Sequence, residues 1–131
     1  MGTAEGLKPL RFVIQEHFAH THNFDFRLEK DGVLKSWAVP KGMPTKTAVK
    51  RLAVQVEDHS LEWGKFEGEI PPGKYGAGTV RVWDRGTYES QEWKPNRIGF
   101  VLRGAKLQGG YELVRFKRAG DRVWLISKLP D

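Results

Sequence analysis

The chain has 131 residues, no cysteine, and 22 Lys plus Arg against 16 Asp plus Glu, a formal charge of +6. That length fits one domain with a single sizeable core; the missing cysteine excludes disulfides and thiolate metal sites, so any metal must be held by nitrogen and oxygen. The basic excess favours a polyanion as partner, and with no apolar signal region and no apolar run long enough to span a bilayer, a soluble cytoplasmic protein is expected.

Residues 1–9 read as a flexible lead-in and 10–131 as one domain. Leu10 to Gln15 predicts a first strand, with 18–22 as connector and 23–29 as second strand. In that second strand Phe24, Phe26 and Leu28 alternate with Asn23, Asp25, Arg27 and Glu29, the period of a strand with one buried face. Lys30-Asp31-Gly32 predicts a hairpin turn into a returning strand, 33–39, because Asp-Gly between alternating runs is a strong hairpin signal. Pro40-Lys41-Gly42-Met43-Pro44 ends it, and the polar stretch 45–50 suggests a short helical turn. Arg51 to Glu57 reads as a strand with Leu52, Val54 and Val56 inward; Arg51 and His59 have the same parity and face one side if the extended chain runs on through Asp58. Residues 60–78 read as irregular and turn-rich, 79–84 as a strand, Arg85-Gly86 as a turn into Thr87-Tyr88-Glu89, and 90–97 as a polar loop. Strands are expected from Ile98 to Arg103, Gly110 to Lys117 and Val123 to Lys128, the last two joined by a plain turn at 118–121. The five Trp and seven Phe mostly fill a β core on this reading. The pattern predicts an all-β protein, a compact β-barrel of about eight strands with irregular connecting loops, since closure hides the edges of so many short strands.

The chemistry concentrates between His17 and Glu29. Three of the four histidines, His17, His20 and His22, precede the alternating strand. A carboxylate beside imidazoles suits a divalent cation, and a guanidinium two residues on suits an anionic oxygen. The competing reading is a solvated strand face with stray histidines. The same applies to Arg51 as a plain strand residue, His59 as a loop residue and Lys41 as turn chemistry.

Several longer stretches carry a family pattern. Phe12 to His17, Phe24 to Glu29, Gly32 to Gly42, Arg51 to Val54 with Glu57-Asp58-His59, and Phe66-Glu67-Gly68 through Tyr75 to Val80 and Trp83-Asp84-Arg85-Gly86 together resemble the 3′-phosphoesterase domain of bacterial DNA ligase D, which also exists as a stand-alone protein. The resemblance implies a β-barrel that trims DNA 3′ ends with Mn²⁺ during break repair by end joining. A 3′-terminal ribonucleoside is removed to leave a 3′-phosphate, which is then hydrolysed to a 3′-hydroxyl. By position, His17 and Asp25 match metal ligands; Arg27, Arg51 and His59 match groups on the scissile phosphate; Gln15 and Lys41 match further functional positions. The implied partners are DNA or DNA–RNA 3′ ends in a primer–template, with a separate DNA ligase and polymerase.

Two departures weigh against full activity. The family's third ligand is a histidine immediately before the aromatic-Asp-aromatic-Arg run, and here it is Asn23. The family commonly has a tyrosine four residues after the position of His59, and here it is Trp63, which donates but cannot accept. Parity puts Asn23 beside Asp25 and turns His22 away, so Asn23 is the expected third ligand and a weaker one. His20 and His22 are then solvent or DNA contacts, or a satisfied turn. The alternative function is a module that binds DNA 3′ ends or a repair partner with weakened or lost catalysis.

Overall fold

In the computed structural model, residues 9–131 are described; the expected lead-in lies almost wholly outside them. Nine strands follow in chain order: β1 (Leu10–Phe18), β2 (His22–Lys30), β3 (Val33–Val39), β4 (Lys50–His59), β5 (Gly68–Ile70), β6 (Gly78–Lys94), β7 (Arg97–Gly104), β8 (Gln108–Arg115) and β9 (Val123–Lys128). The sheet order is β1-β2-β3-β4-β9-β8-β7-β6-β5, and β1 also pairs with β6. That seam closes eight antiparallel strands into a barrel and leaves β5 on the outer flank of β6. The β2–β3 turn has positive φ at both Asp31 (53°) and Gly32 (82°), the primed geometry that matches strand twist.

The barrel interior is solid. Phe12, Ile14, Phe26, Leu28, Trp37, Val39, Phe100, Tyr111, Leu113, Trp124 and Ile126 pack into one buried cluster. Phe26 stacks on Phe100, and Phe100 on Tyr111. The inward face of each strand is therefore committed to packing, and chemistry is left to the outward face.

The structure corrects the sequence reading at several places. Residues 45–50 contain no helical turn; Thr47 instead forms a bridge to Lys128. The stretch 60–78 is not wholly irregular, since it holds a 3-10 turn at Leu61–Lys65 and β5. Arg85-Gly86 is not a turn and 90–97 is not a loop, because β6 runs unbroken to Lys94. Gly86 sits where β6 passes from one neighbour to the other, paired with Phe12 of β1 and with Gly104 of β7. A Cβ there would run into the Arg103 carbonyl oxygen, so this glycine marks close backbone approach rather than a reversal. Finally, Leu52, Val54 and Val56 are not inward: Leu52 is 43% exposed, whereas Ala53 is fully buried.

That last correction extends to Arg51 and His59. Leu34 pairs with His59 and Ser36 with Val56, two residues of β3 against three of β4. This is a β-bulge, and its extra residue reverses the parity of everything beyond it. Arg51 keeps the parity of the inward Ala53, while His59 shares the outer face of Leu34. They are not on one side.

Candidate phosphoesterase site on the outer wall

The outer face of the β1–β2–β3 wall collects most of the candidate residues. His17 pairs with Asn23, Gln15 with Asp25 and Val13 with Arg27, and Arg27 pairs onward with Ser36. Directly paired residues on antiparallel strands project to one side. Phe24, Phe26 and Leu28 point the other way, with Phe26 and Leu28 in the core.

Arg27 is the hub of this face. It is only 3% exposed. Its Nε donates to Gln15 Oε1 at 2.7 Å, and Nη1 donates to Ser36 Oγ at 2.8 Å and to His59 Nδ1 at 3.1 Å. Among the described residues Nη2 has only Asp25 Oδ2, at 3.6 Å, which leaves it donors for an incoming anion. Burial lowers the pKa of the guanidinium and the Asp25 charge opposes that shift. A cation desolvated this way attracts an anionic oxygen more strongly than one in water.

Gln15 is fully buried. It accepts from Arg27 and donates through Nε2 to the carbonyls of Trp63 (2.8 Å) and Phe66 (3.2 Å). Its place is between the guanidinium and the covering segment, so it positions both. Ser36, which sequence reasoning missed, closes the other side by donating to Leu34 O at 3.0 Å. Its only sequence signal is a small hydroxyl paired across from an arginine in an otherwise apolar strand.

His59 Nδ1 lies 3.1 Å from Arg27 Nη1 and 3.0 Å from the Glu57 carbonyl. A guanidinium only donates and a carbonyl only accepts. The neutral ring with Nδ1 unprotonated takes the Arg27 bond and carries its proton on Nε2. Burial first, then the Arg27 charge, lowers the His59 pKa, which favours that neutral form. Beside it, Trp63 stacks on Phe66 with centroids 4.6 Å apart. The indole Nε1–H of Trp63 is buried without an acceptor.

The three expected metal ligands sit at the other end of the same face. His17 Nε2 donates to the Gly76 carbonyl at 2.8 Å, which leaves Nδ1 as the ring's lone pair, the usual way an outer partner fixes the tautomer of a ligating histidine. The Asn23 amide donates to Asp25 Oδ1 at 3.1 Å. Among the described residues, no group of three or more His, Cys, Asp or Glu is arranged to hold a metal. The donor set is thus one imidazole, one carboxylate and one amide. It fits a hard divalent cation that keeps several waters, provided the amide turns its oxygen inward. His22 is elsewhere: it stacks on Phe18 at 4.8 Å and pairs with Glu16 at 2.7 Å.

Lys41 and Arg51 form a separate group at the barrel rim. Arg51 Nη1 donates to the carbonyls of Lys41 and Gly42, which ties the β3–β4 connection to the start of β4. No hydrogen bond or ion pair joins either residue to Arg27 or His59 among the described residues. Lys41 itself is exposed.

Residues 15–115 match the family model described as the DNA Ligase D 3′-phosphoesterase domain. The chain is 51% identical over 122 residues to the multifunctional non-homologous end joining protein LigD of Mycobacterium bovis, covering 90% of this chain and 16% of that protein. It is 48% identical over 128 residues to the protein of the same name from Pseudomonas aeruginosa, covering 93% and 15%. The figures for Mycolicibacterium smegmatis are 42% over 132 residues, 92% and 17%. The chain therefore spans only about a sixth of the length of these relatives. With a family model matched over most of its length and relatives about half identical over nine-tenths of it, this chain belongs to the DNA ligase D 3′-phosphoesterase domain family.

Proposed function

We propose that the protein heals DNA 3′ ends in break repair by end joining. It removes a 3′-terminal ribonucleoside to leave a 3′-phosphate and then hydrolyses that phosphate to a 3′-hydroxyl. The observation that carries this reading, beside family membership, is the buried Arg27 with Nη2 unspent and His59 bonded to the same guanidinium. Arg27 would hold the non-bridging oxygens and stabilise charge as it develops on them. In the first step the P–O5′ bond breaks as a water oxygen bonds to phosphorus, a proton of that water ends on the leaving 5′-oxygen as its hydroxyl, and the His59 Nε2–H donates a hydrogen bond that stabilises the charge developing on the departing oxygen. In the second, another water oxygen bonds to phosphorus in the same cradle as the P–O3′ bond breaks, the 3′-oxygen takes a water proton to become the 3′-hydroxyl, and inorganic phosphate leaves. Gln15 and Ser36 hold the guanidinium in place. Arg51 and Lys41 would contact the substrate backbone at the rim. His17, Asp25 and Asn23 would hold a divalent cation, Mn²⁺ by preference, which when bound polarises a phosphoryl oxygen or activates water. A 3′-hydroxyl is what ligation and templated synthesis require, so a separate DNA ligase and polymerase are the proposed partners.

A primer–template with one 3′-terminal ribonucleotide tests this. With Mn²⁺ the primer should shorten by one nucleoside to a 3′-phosphate end and then to a 3′-hydroxyl end, and chelator should stop both. His59→Ala should slow the first step by about a hundredfold or more. No shortening by the wild type would overturn the reading. The second reading, a 3′-end-binding module with feeble catalysis, is favoured by the Asn23 donor bond to Asp25; it predicts binding without shortening.

A further inference from the structure

We propose that Tyr75 is the platform on which the 3′-terminal nucleobase of the substrate stacks, an inference that rests on the function proposed above. Tyr75 is 97% exposed, while the other large apolar side chains that reach the surface are 36–43% exposed. At that exposure its ring contributes almost nothing to the packing of the described residues.

The loop that carries it is nevertheless built to hold one shape. Lys74 N–H donates to Pro71 O at 3.2 Å and Ala77 N–H to Lys74 O at 3.1 Å, two successive turns that span Tyr75. Gly73 and Gly76 take positive φ, 88° and 76°, and Pro71 and Pro72 restrict the entry. The next residue, Gly76, accepts the His17 Nε2 bond at 2.8 Å, and a Cβ on it would touch His17 Cε1 at 3.7 Å. The loop end is further pinned at Gly78, where a Cβ would run into the Phe18 carbonyl oxygen. A constrained loop backbone thus presents an aromatic ring to solvent one residue from the carbonyl that orients a candidate metal ligand. Consecutive Cα atoms lie about 3.8 Å apart, well within the reach of one nucleotide. The adjacent Lys74, which makes no ion pair among the described residues, adds a cation where the backbone would pass. An exposed aromatic carried on a constrained loop beside a phosphate site is the feature that base stacking uses, and it tolerates any base because every base has a π face.

The test uses a primer–template whose 3′-terminal ribonucleotide carries 2-aminopurine. In chelator, binding to the wild type should quench the probe's fluorescence, and Tyr75→Ala should abolish the quench. In Mn²⁺, Tyr75→Ala should raise KM about tenfold or more with kcat held, and Tyr75→Phe should restore wild-type values. A substrate whose terminal ribose lacks a base should erase the difference between wild type and Tyr75→Ala, which a merely structural role would not do. Equal quench and equal KM in wild type and Tyr75→Ala would overturn the stacking role while leaving the phosphoesterase reading in place. Quench without shortening would sustain stacking and sink the phosphoesterase reading. Absence of any binding by the wild type would overturn both.

Discussion

At Asn23 one side chain decides how the cation end of the site behaves. Its amide now donates to Asp25 Oδ1, and a cation would have to reverse it. An amide oxygen is also a poorer ligand for transition metals than an imidazole. Asn23→His should therefore lower the Mn²⁺ concentration for half-maximal activity, whereas His22→Ala, on the face away from Asp25, should leave it unchanged. A metal titration of both variants checks this, and loss of activity in His22→Ala would reverse the assignment. His59 gives a second residue-level expectation. Its folded pKa is depressed by burial and by Arg27, below an unfolded value of about 6.5. The unfolded chain therefore binds a proton that the folded chain refuses. The stability this group contributes is present above about pH 6.5 and is lost as the pH falls through the folded pKa. Urea midpoints from neutral to mildly acid pH should fall more steeply for the wild type than for His59→Asn. Parallel curves would show that His59 is not held neutral.

Strands are where the sequence was most legible and also where it misled. Period two in β2 and the Asp-Gly turn were readable because each is a local rule of backbone chemistry, and the common face of Asn23, Asp25 and Arg27 followed from parity, whereas His17 joined them only through the family resemblance. A bulge leaves no such mark. The extra residue between Val56 and His59 is an ordinary charged pair, Glu57-Asp58, so parity carried across it put Arg51 and His59 on one side wrongly. Gln15 showed its position but not its burial, because the residues that cover it, Trp63 and Phe66, lie 48 and 51 positions later in the chain. Gly86 misled for a different reason: glycine serves both reversal and close approach, and only the neighbouring strand distinguishes them. Gly86→Ala should cost about 1–3 kcal/mol through forced overpacking. Gly99→Ala, whose added Cβ would find its nearest neighbours at 3.9 Å, should cost much less. Chemical denaturation of the pair measures the difference, and equal midpoints would show that β6 can give way at the crossing.

Over the whole molecule, the formal charge of +6 and the proposed substrate make a joint statement. Neutralising phosphates releases condensed counterions, so affinity for primer–template should fall linearly on logarithmic axes as salt rises. A filter-binding or anisotropy series across salt checks it, and a flat series would count against a polyanionic partner. The barrel wall also has a consequence for how this protein can vary. It is one residue thick, with packing behind it and the candidate chemistry in front. Along β2 the two obligations fall on alternate positions, and at Asn23 and Asp25 they share nothing with Phe24 and Phe26. A saturation scan scored separately for abundance and for end healing should resolve this strand into two interleaved stripes, one intolerant in each assay. Such a wall lets the outward positions change without disturbing the packing behind them.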